Sequence, residues 1–154
     1  MAQHYYPHLL CFLPQYLYQQ TNRLFRQRKK SEALDEEYAI MKELVQMKCS
    51  PCRIGAPTVP DREISQFLSQ LSGWKLLDES GIKRIQCVYT LENFIQALAF
   101  TNKVGELAEA EGHHPTLETA WGTTTVTWWT HMINGLHQND FIMAAKTDDI
   151  YQTP

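Results

Sequence analysis

From Asp61 onward the apolar positions alternate between a helical and a strand period. Ile64, Phe67, Leu68 and Leu71 recur at i, i+3, i+4 and i+7, the stripe of an amphipathic helix. Thr58 or Asp61 is placed to cap its start, and Gly73 to stop it in a left-handed conformation. Two short strands follow, Trp74 to Leu77 and Lys83 to Tyr89, around a turn at Glu79, Ser80 and Gly81. Ile85, Cys87 and Tyr89 alternate with Arg84, Gln86 and Thr90, so one face of this hairpin is buried. Thr90 is positioned to cap a long helix to about Glu111, with Phe94, Ala97, Leu98, Thr101, Val104, Gly105 and Ala108 as its inward stripe and Gly112 as its end. After the loop His113, His114, Pro115 come a strand near Leu117 to Trp121, a turn at Gly122, and the β-branched and aromatic run Thr123 to Thr130. The last helix starts around Gln138 or Asn139 and carries Phe141, Ile142, Ala144 and Ala145. Two hairpins separated by a helix predict an α+β fold: a four-stranded antiparallel sheet with three helices packed on one face, in the order α-β-β-α-β-β-α, plus an N-terminal extension.

Ahead of the periodic region, Cys49 to Pro60 reads CSPCRIGAPTVP, three prolines and a glycine in twelve residues, and serves as the entry to the domain. The expected boundaries are residues 1–48 for an extension and 49–154 for the domain. Glu32 to Lys48 reads as a charged helix with Leu34, Tyr38, Met41, Leu44 and Val45 at helical spacing, and Met41 is itself a candidate initiator. The 154 residues are 44% apolar and suit one core. The longest apolar stretch near the N-terminus, Leu9 to Leu13, is far short of the ~20 residues of a bilayer span, so no membrane role is expected. The net charge of −3 gives no general case for direct nucleic-acid binding, which needs a basic face. That charge is uneven: residues 1–31 hold five basic side chains and no acid, the remainder nine basic and seventeen acidic. An acid-free, Arg-bearing start is compatible with an organelle transit segment, though it lacks the Ser content of one. Four scattered cysteines, Cys11, Cys49, Cys52 and Cys87, are too few for a disulfide framework and indicate a reducing, cytoplasmic setting, or an organelle if residues 1–48 direct import.

Candidate chemistry gathers late in the chain. His113 and His114 lie in the loop after the long helix and His131 at the end of the last strand; loops and strand ends at one sheet edge can converge, so three imidazoles can share a pocket. Imidazole is the side chain that gives and takes protons near neutrality. The plain structural alternative for each is a hydrogen-bonded surface or half-buried residue. Asp140 has a capping alternative in the first turn of the final helix, where a carboxylate is favoured by free N–H groups. Glu109 has one as a solvated carboxylate, and Trp121, Trp128 and Trp129 as core or interface aromatics.

Glu109, His113, His114, Pro115, Trp121, His131 and Asp140 keep every interval of a seven-position pattern, and that pattern resembles the signature of the pterin-4a-carbinolamine dehydratases. The resemblance covers about Pro60 to Tyr151. It implies three helices on one side of a four-stranded antiparallel sheet, and removal of water from a 4a-hydroxytetrahydropterin to give quinonoid dihydropterin, in tetrahydropterin recycling, with no metal or redox cofactor. By the same resemblance His113 and His131 are acid and base candidates, His114 binds and orients the pterin, and Glu109 and Asp140 tune or hold imidazoles. Trp121 and Pro115 support the site. Gly112 stands where some members place an acid, leaving only Glu109 and Glu111 nearby. The family's habit further implies a homodimer or homotetramer.

Three other readings compete. Three His and an Asp can make a zinc shell or facial triad, although adjacent His113 and His114 project in different directions from an extended loop. Cys49 and Cys52 have CxxC spacing with no second pair, and read as a turn holding two thiols. Proteins similar to this family also act without catalysis, as a transcription-coactivator partner or in Rubisco assembly, and the basic N-terminal arm is suited to an acidic partner.

Overall fold

The computed structural model describes residues 23, 26–29, 43–51 and 53–153. The chain divides into two units, 1–37 and 38–154, and all that follows concerns the second. The expected helix over 32–48 is described only at 43–48: residues 43–46 are helical and 47–48 are not, and Leu44 is buried in the same core as the rest of the domain. Cys11 and Cys52 lie outside the described residues.

The elements are α1 (Asp61–Leu68), β1 (Lys75–Glu79), β2 (Ile82–Thr90), α2 (Phe94–Glu111), β3 (Thr116–Ala120), β4 (Thr123–Trp128), a 3-10 turn (His131–Ile133) and α3 (Gln138–Gln152). All strand pairs are antiparallel, in the spatial order β1-β2-β4-β3. The α+β reading therefore holds, element for element. Residues of β2 and β4 that face each other, Ile85 with Trp128 and Cys87 with Val126, share the face covered by helices, while Arg84, Gln86 and Thr125 alternate onto the other. α1 joins the core through Ile64 and through Phe67, whose ring stacks on Phe141 of α3 at 4.6 Å. No described helix is long and apolar enough to cross a membrane.

The caps differ from the sequence reading. Pro60, extended at φ −63°, precedes α1, and neither Thr58 nor Asp61 supplies a side-chain cap; Asp61 and Glu63 instead sit in the first turn, where the macrodipole favours them. Thr90 does not cap α2, because it remains paired with Thr123 in the sheet; the side chain of Asn93 accepts from the Gln96 N–H in its place. The inward stripe of α2 is also rotated. Ala97, Phe100, Val104 and Ala108 are buried, whereas Phe94 and Leu98 are exposed. The small Ala97 lets the helix approach β4, where its carbonyl accepts from the Thr124 hydroxyl (3.1 Å), and this contact turns Phe100 toward Tyr89.

α3 is the central helix. From Asn139 to Ala145 every residue is buried, so it has no polar stripe, and its buried Asn139, Asp140, Thr147 and Asp148 must each be satisfied by partners.

Candidate functional site

The C-terminus of α2 delivers the first histidine. Gly112 adopts φ 63°, a left-handed conformation open to glycine, and the chain turns back so that the His113 N–H bonds the Ala108 carbonyl at 3.1 Å. The helix ending itself thus fixes the His113 backbone. The ring is 5% exposed and lies parallel to the Trp128 indole, 15° between planes and 5.6 Å between centroids. Its Nε2 lies 2.7 Å from Asp140 Oδ1.

The start of α3 delivers the carboxylate. His137 is the N-cap, with its Nδ1 accepting from the Asn139 N–H, and Asp140 reaches back to accept the His137 N–H at 2.7 Å, a reciprocal capping box with His in the place usually held by Ser or Thr. Asp140 is 0% exposed and also accepts from the Thr130 hydroxyl (2.9 Å). The two oxygens of Asp140 divide the contacts: Oδ2 accepts from the His137 N–H and Thr130, the cap expected of it, and Oδ1 lies against His113. Three donors thus satisfy a carboxyl group whose burial would otherwise be costly. With Asp140 as acceptor, the proton in this contact is assigned to His113 Nε2.

The other two imidazoles are exposed. His114 Nε2 lies 3.1 Å from Glu109 Oε1, one turn back on α2. His131 opens the 3-10 turn, directly after Thr130, whose backbone bridges Gly135 in both directions. Its ring packs on Trp129 with centroids 4.2 Å apart, and the Arg84 guanidinium sits 4.2 Å from the centre of the same indole while pairing with Glu79 at 2.6 Å. The structure therefore joins His113 to Asp140 and His114 to Glu109, and seats His131 on Trp129. Pro115 follows the pair, half-buried. Trp121 lies in the β3–β4 turn with Gly122 and is 75% exposed, so in the single chain it packs no site. Among the described residues no group of three or more His, Cys, Asp or Glu side chains is placed to hold a metal ion.

Residues to which sequence reasoning assigned no role at the site, Trp128 among them as a core aromatic, complete the surroundings. Thr130 holds Asp140, His137 caps its helix, Trp128 backs His113 and Arg84 braces Trp129. One of these had a signal: His137 and Asp140 are spaced as a capping box, concealed because the first residue is not Ser or Thr.

Two turns along α3, Asp148 forms a second buried polar cluster. It accepts from Trp74 Nε1 at 3.1 Å and from the Tyr89 hydroxyl, with Cys87 nearby on β2. Burial pushes the Asp148 carboxyl up to about 6 from 3.8, even though both donors pull it down; burial first, and then the neighbouring carboxylate, drive the Tyr89 hydroxyl upward as well. A folded-state value above the unfolded one means that the folded chain binds the proton more tightly. The stability this group contributes is then fully present below about 4 and is lost as pH rises through about 6, an effect of order 3 kcal/mol. Glu111, whose pairing with Lys146 holds its carboxyl low, runs the opposite way and loses its contribution on acidification. Asp148→Asn is expected to remove the 4-to-6 component alone. Unfolding free energies at pH 4.5 and 7.5 for both proteins check this, and an unchanged pH slope in the variant refutes it.

The chain is thus a three-helix, four-stranded α+β domain that carries one buried imidazole–carboxylate pair and two exposed imidazoles. The class narrows on comparison. The family model described as pterin 4 alpha carbinolamine dehydratase matches residues 57–150, and the chain belongs to that family of hydro-lyases. A protein of Microcystis aeruginosa that carries the name pterin-4-alpha-carbinolamine dehydratase is 54% identical over 112 residues, which is 73% of this chain and 97% of that one. One of the same name from Syntrophotalea carbinolica is 52% identical over 112 residues, 73% of this chain and all of that one. The crystal structure of a transcriptional coactivator/pterin dehydratase from Brucella melitensis superposes with a TM-score of 0.56 at 29% identity, covering 61% of this chain and 98% of that chain.

Proposed function

We propose that the chain dehydrates a 4a-hydroxytetrahydropterin to quinonoid dihydropterin, as a step of tetrahydropterin recycling, by histidine acid–base catalysis. In this reaction the C4a–O bond breaks and the hydroxyl leaves as water after receiving one proton. A ring N–H gives up one proton, and the nitrogen lone pair forms the new C=N bond. The net change is loss of one water.

The observation that carries the reading is the His113–Asp140 pair. His113 takes the ring proton as base, and the buried carboxylate beside it fixes the tautomer and balances the imidazolium that forms. His131, exposed and seated on Trp129, delivers the proton to the leaving hydroxyl and exchanges it with solvent afterwards. His114, steadied by Glu109, orients the pterin. The His114 imidazole can stack on a flat ring and hydrogen-bond an edge atom, which suits a pterin.

The test is stopped-flow dehydration of a freshly generated carbinolamine. The wild type is expected to exceed the spontaneous rate, and His131→Ala to lower kcat about a hundredfold. A wild-type rate no greater than the spontaneous one overturns the reading in favour of a non-catalytic module, the alternative kept open by the double description of the Brucella melitensis protein.

A further inference from the structure

The Cys49–Pro60 segment, rich in proline and unexplained by the acid–base site, grips the chain on both sides of the His113–Asp140 pair. The Cys49 N–H donates to Glu111 Oε2 at 3.1 Å, and Glu111, two residues before His113, is also paired with Lys146 of α3. The Ser50 N–H donates to Asn139 Oδ1 at 3.1 Å while Asn139 Nδ2 donates to the Ser50 carbonyl at 2.8 Å. The Asn139 amide thus acts toward Ser50 as one peptide group acts toward another in a sheet. It is 2% exposed and immediately precedes Asp140. Further along, the Val59 N–H donates to the Leu136 carbonyl at 2.8 Å, and Thr58 packs so closely on Gly135 that a Cβ there would lie 2.8 Å from its methyl carbon. Residues 135–139 are the stretch that joins Thr130 and His131 to Asp140.

We infer that Asn139 is a positioning residue: through it the strap 49–59 sets the placement of Asp140 against His113. Asn139 and Asp140 are successive residues in the first turn of α3, one side chain holding the strap and the other holding the imidazole. A turn released on the strap side shifts the carboxylate relative to a ring that Gly112 and Trp128 keep in place. A displacement of about 1 Å is enough to cost about a hundredfold in rate. The two shorter bonds use the Ser50 backbone; the Ser50 hydroxyl adds a longer contact, 3.4 Å, to the Asn139 Oδ1 that already accepts from the Ser50 N–H, so the backbone carries most of the grip.

The kinetic part of this inference rests on the dehydratase reading; the geometric part does not. Asn139→Ala is expected to lower kcat by about ten- to a hundredfold with KM within about threefold, and to move the ¹⁵N resonances of the His113 imidazole away from the hydrogen-bonded Nε2–H pattern. Ser50→Pro, which removes the backbone donor from the strap side without touching α3, is expected to reproduce both changes, and Ser50→Ala, which loses only the 3.4 Å hydroxyl contact, to produce much smaller ones. Wild-type protein without dehydratase activity, combined with shifted His113 resonances in Asn139→Ala and Ser50→Pro, sinks the function and leaves the positioning role standing. A lowered thermal midpoint in both variants with kcat and His113 resonances unchanged overturns the inference, since the strap would then only support the fold. Should Asn139→Ala fail to fold, the Ser50→Pro spectrum decides by itself.

Discussion

Asp140→Ala is expected to lower the thermal midpoint by about 10–30 °C and to reduce turnover as far as His113→Ala does, about 10²- to 10⁴-fold. One carboxylate accepts from His113, Thr130 and the His137 N–H, all within 3 Å and all buried or half-buried, so its removal strands three donors at once. Breaking a buried pair by deleting one partner costs about 3–5 kcal/mol, a large share of the 5–15 kcal/mol typical of a domain. Stability and catalysis separate in Asp140→Asn. Its carbonyl oxygen can stay with Thr130 and the His137 N–H, which keeps the cap, but its NH₂ then faces His113 Nε2. Two donors cannot share that contact, so the imidazole must move its proton to Nδ1, the opposite tautomer to the one Asp140 holds. The expected result is a near-native melting curve with activity lost as severely as in the Ala variant. Calorimetric melts and stopped-flow rates on both variants check this. An Asn variant that turns over like wild type excludes the tautomer-holding role.

The periodicity of the chain carries the fold further than the site. Ile85, Cys87 and Tyr89 alternate because one face of β2 meets the helices, and the structure buries all three. Ser80 and Gly81 both take positive φ in the two-residue turn between β1 and β2, where the Asp78 side chain accepts the Gly81 N–H, so that turn was legible too. The rotation of α2 was not, since Phe94 and Leu98 fit a helical stripe as well as Phe100 does. What selects Phe100 is the Ala97–Thr124 contact with β4, a tertiary fact absent from helical spacing. Caps failed for the same reason: Thr90 is a good capping residue spent on strand pairing.

For the site, residue types and intervals pointed to Asp140 and the histidines but could not say which would meet. His113 and Asp140 are 27 residues apart, brought to 2.7 Å because one closes α2 and the other opens α3. The residues that hold this pair, Thr130, Trp128 and Asn139, carry no chemical signature of their own. A threonine at a strand end, a tryptophan in a core and an asparagine in a first turn are ordinary in sequence, and only burial beside a charge gives them work.

Trp128→Ala is expected to cost about 3–5 kcal/mol, more than any other apolar truncation near the site. Trp128 is the last residue of β4, fully buried, opposite Ile85, with Nε1 donating to Thr147 at 3.3 Å and its face against His113. Alanine here leaves a cavity that the central α3 cannot fill without moving Asp140, takes away the N–H that the Thr147 hydroxyl oxygen accepts, and removes the wall that keeps the His113 ring flat. Trp128→Phe keeps an aromatic face behind the imidazole and loses the indole donor and part of the volume, so about 1–2 kcal/mol is expected. Activity should follow the wall rather than the donor: under conditions where all three proteins are folded, Phe stays within about tenfold of wild type and Ala falls about a hundredfold. Urea midpoints at constant m, with kcat measured well below them, check both halves. A loss under 1 kcal/mol for Ala, or equal turnover for Ala and Phe, removes Trp128 from the support of His113.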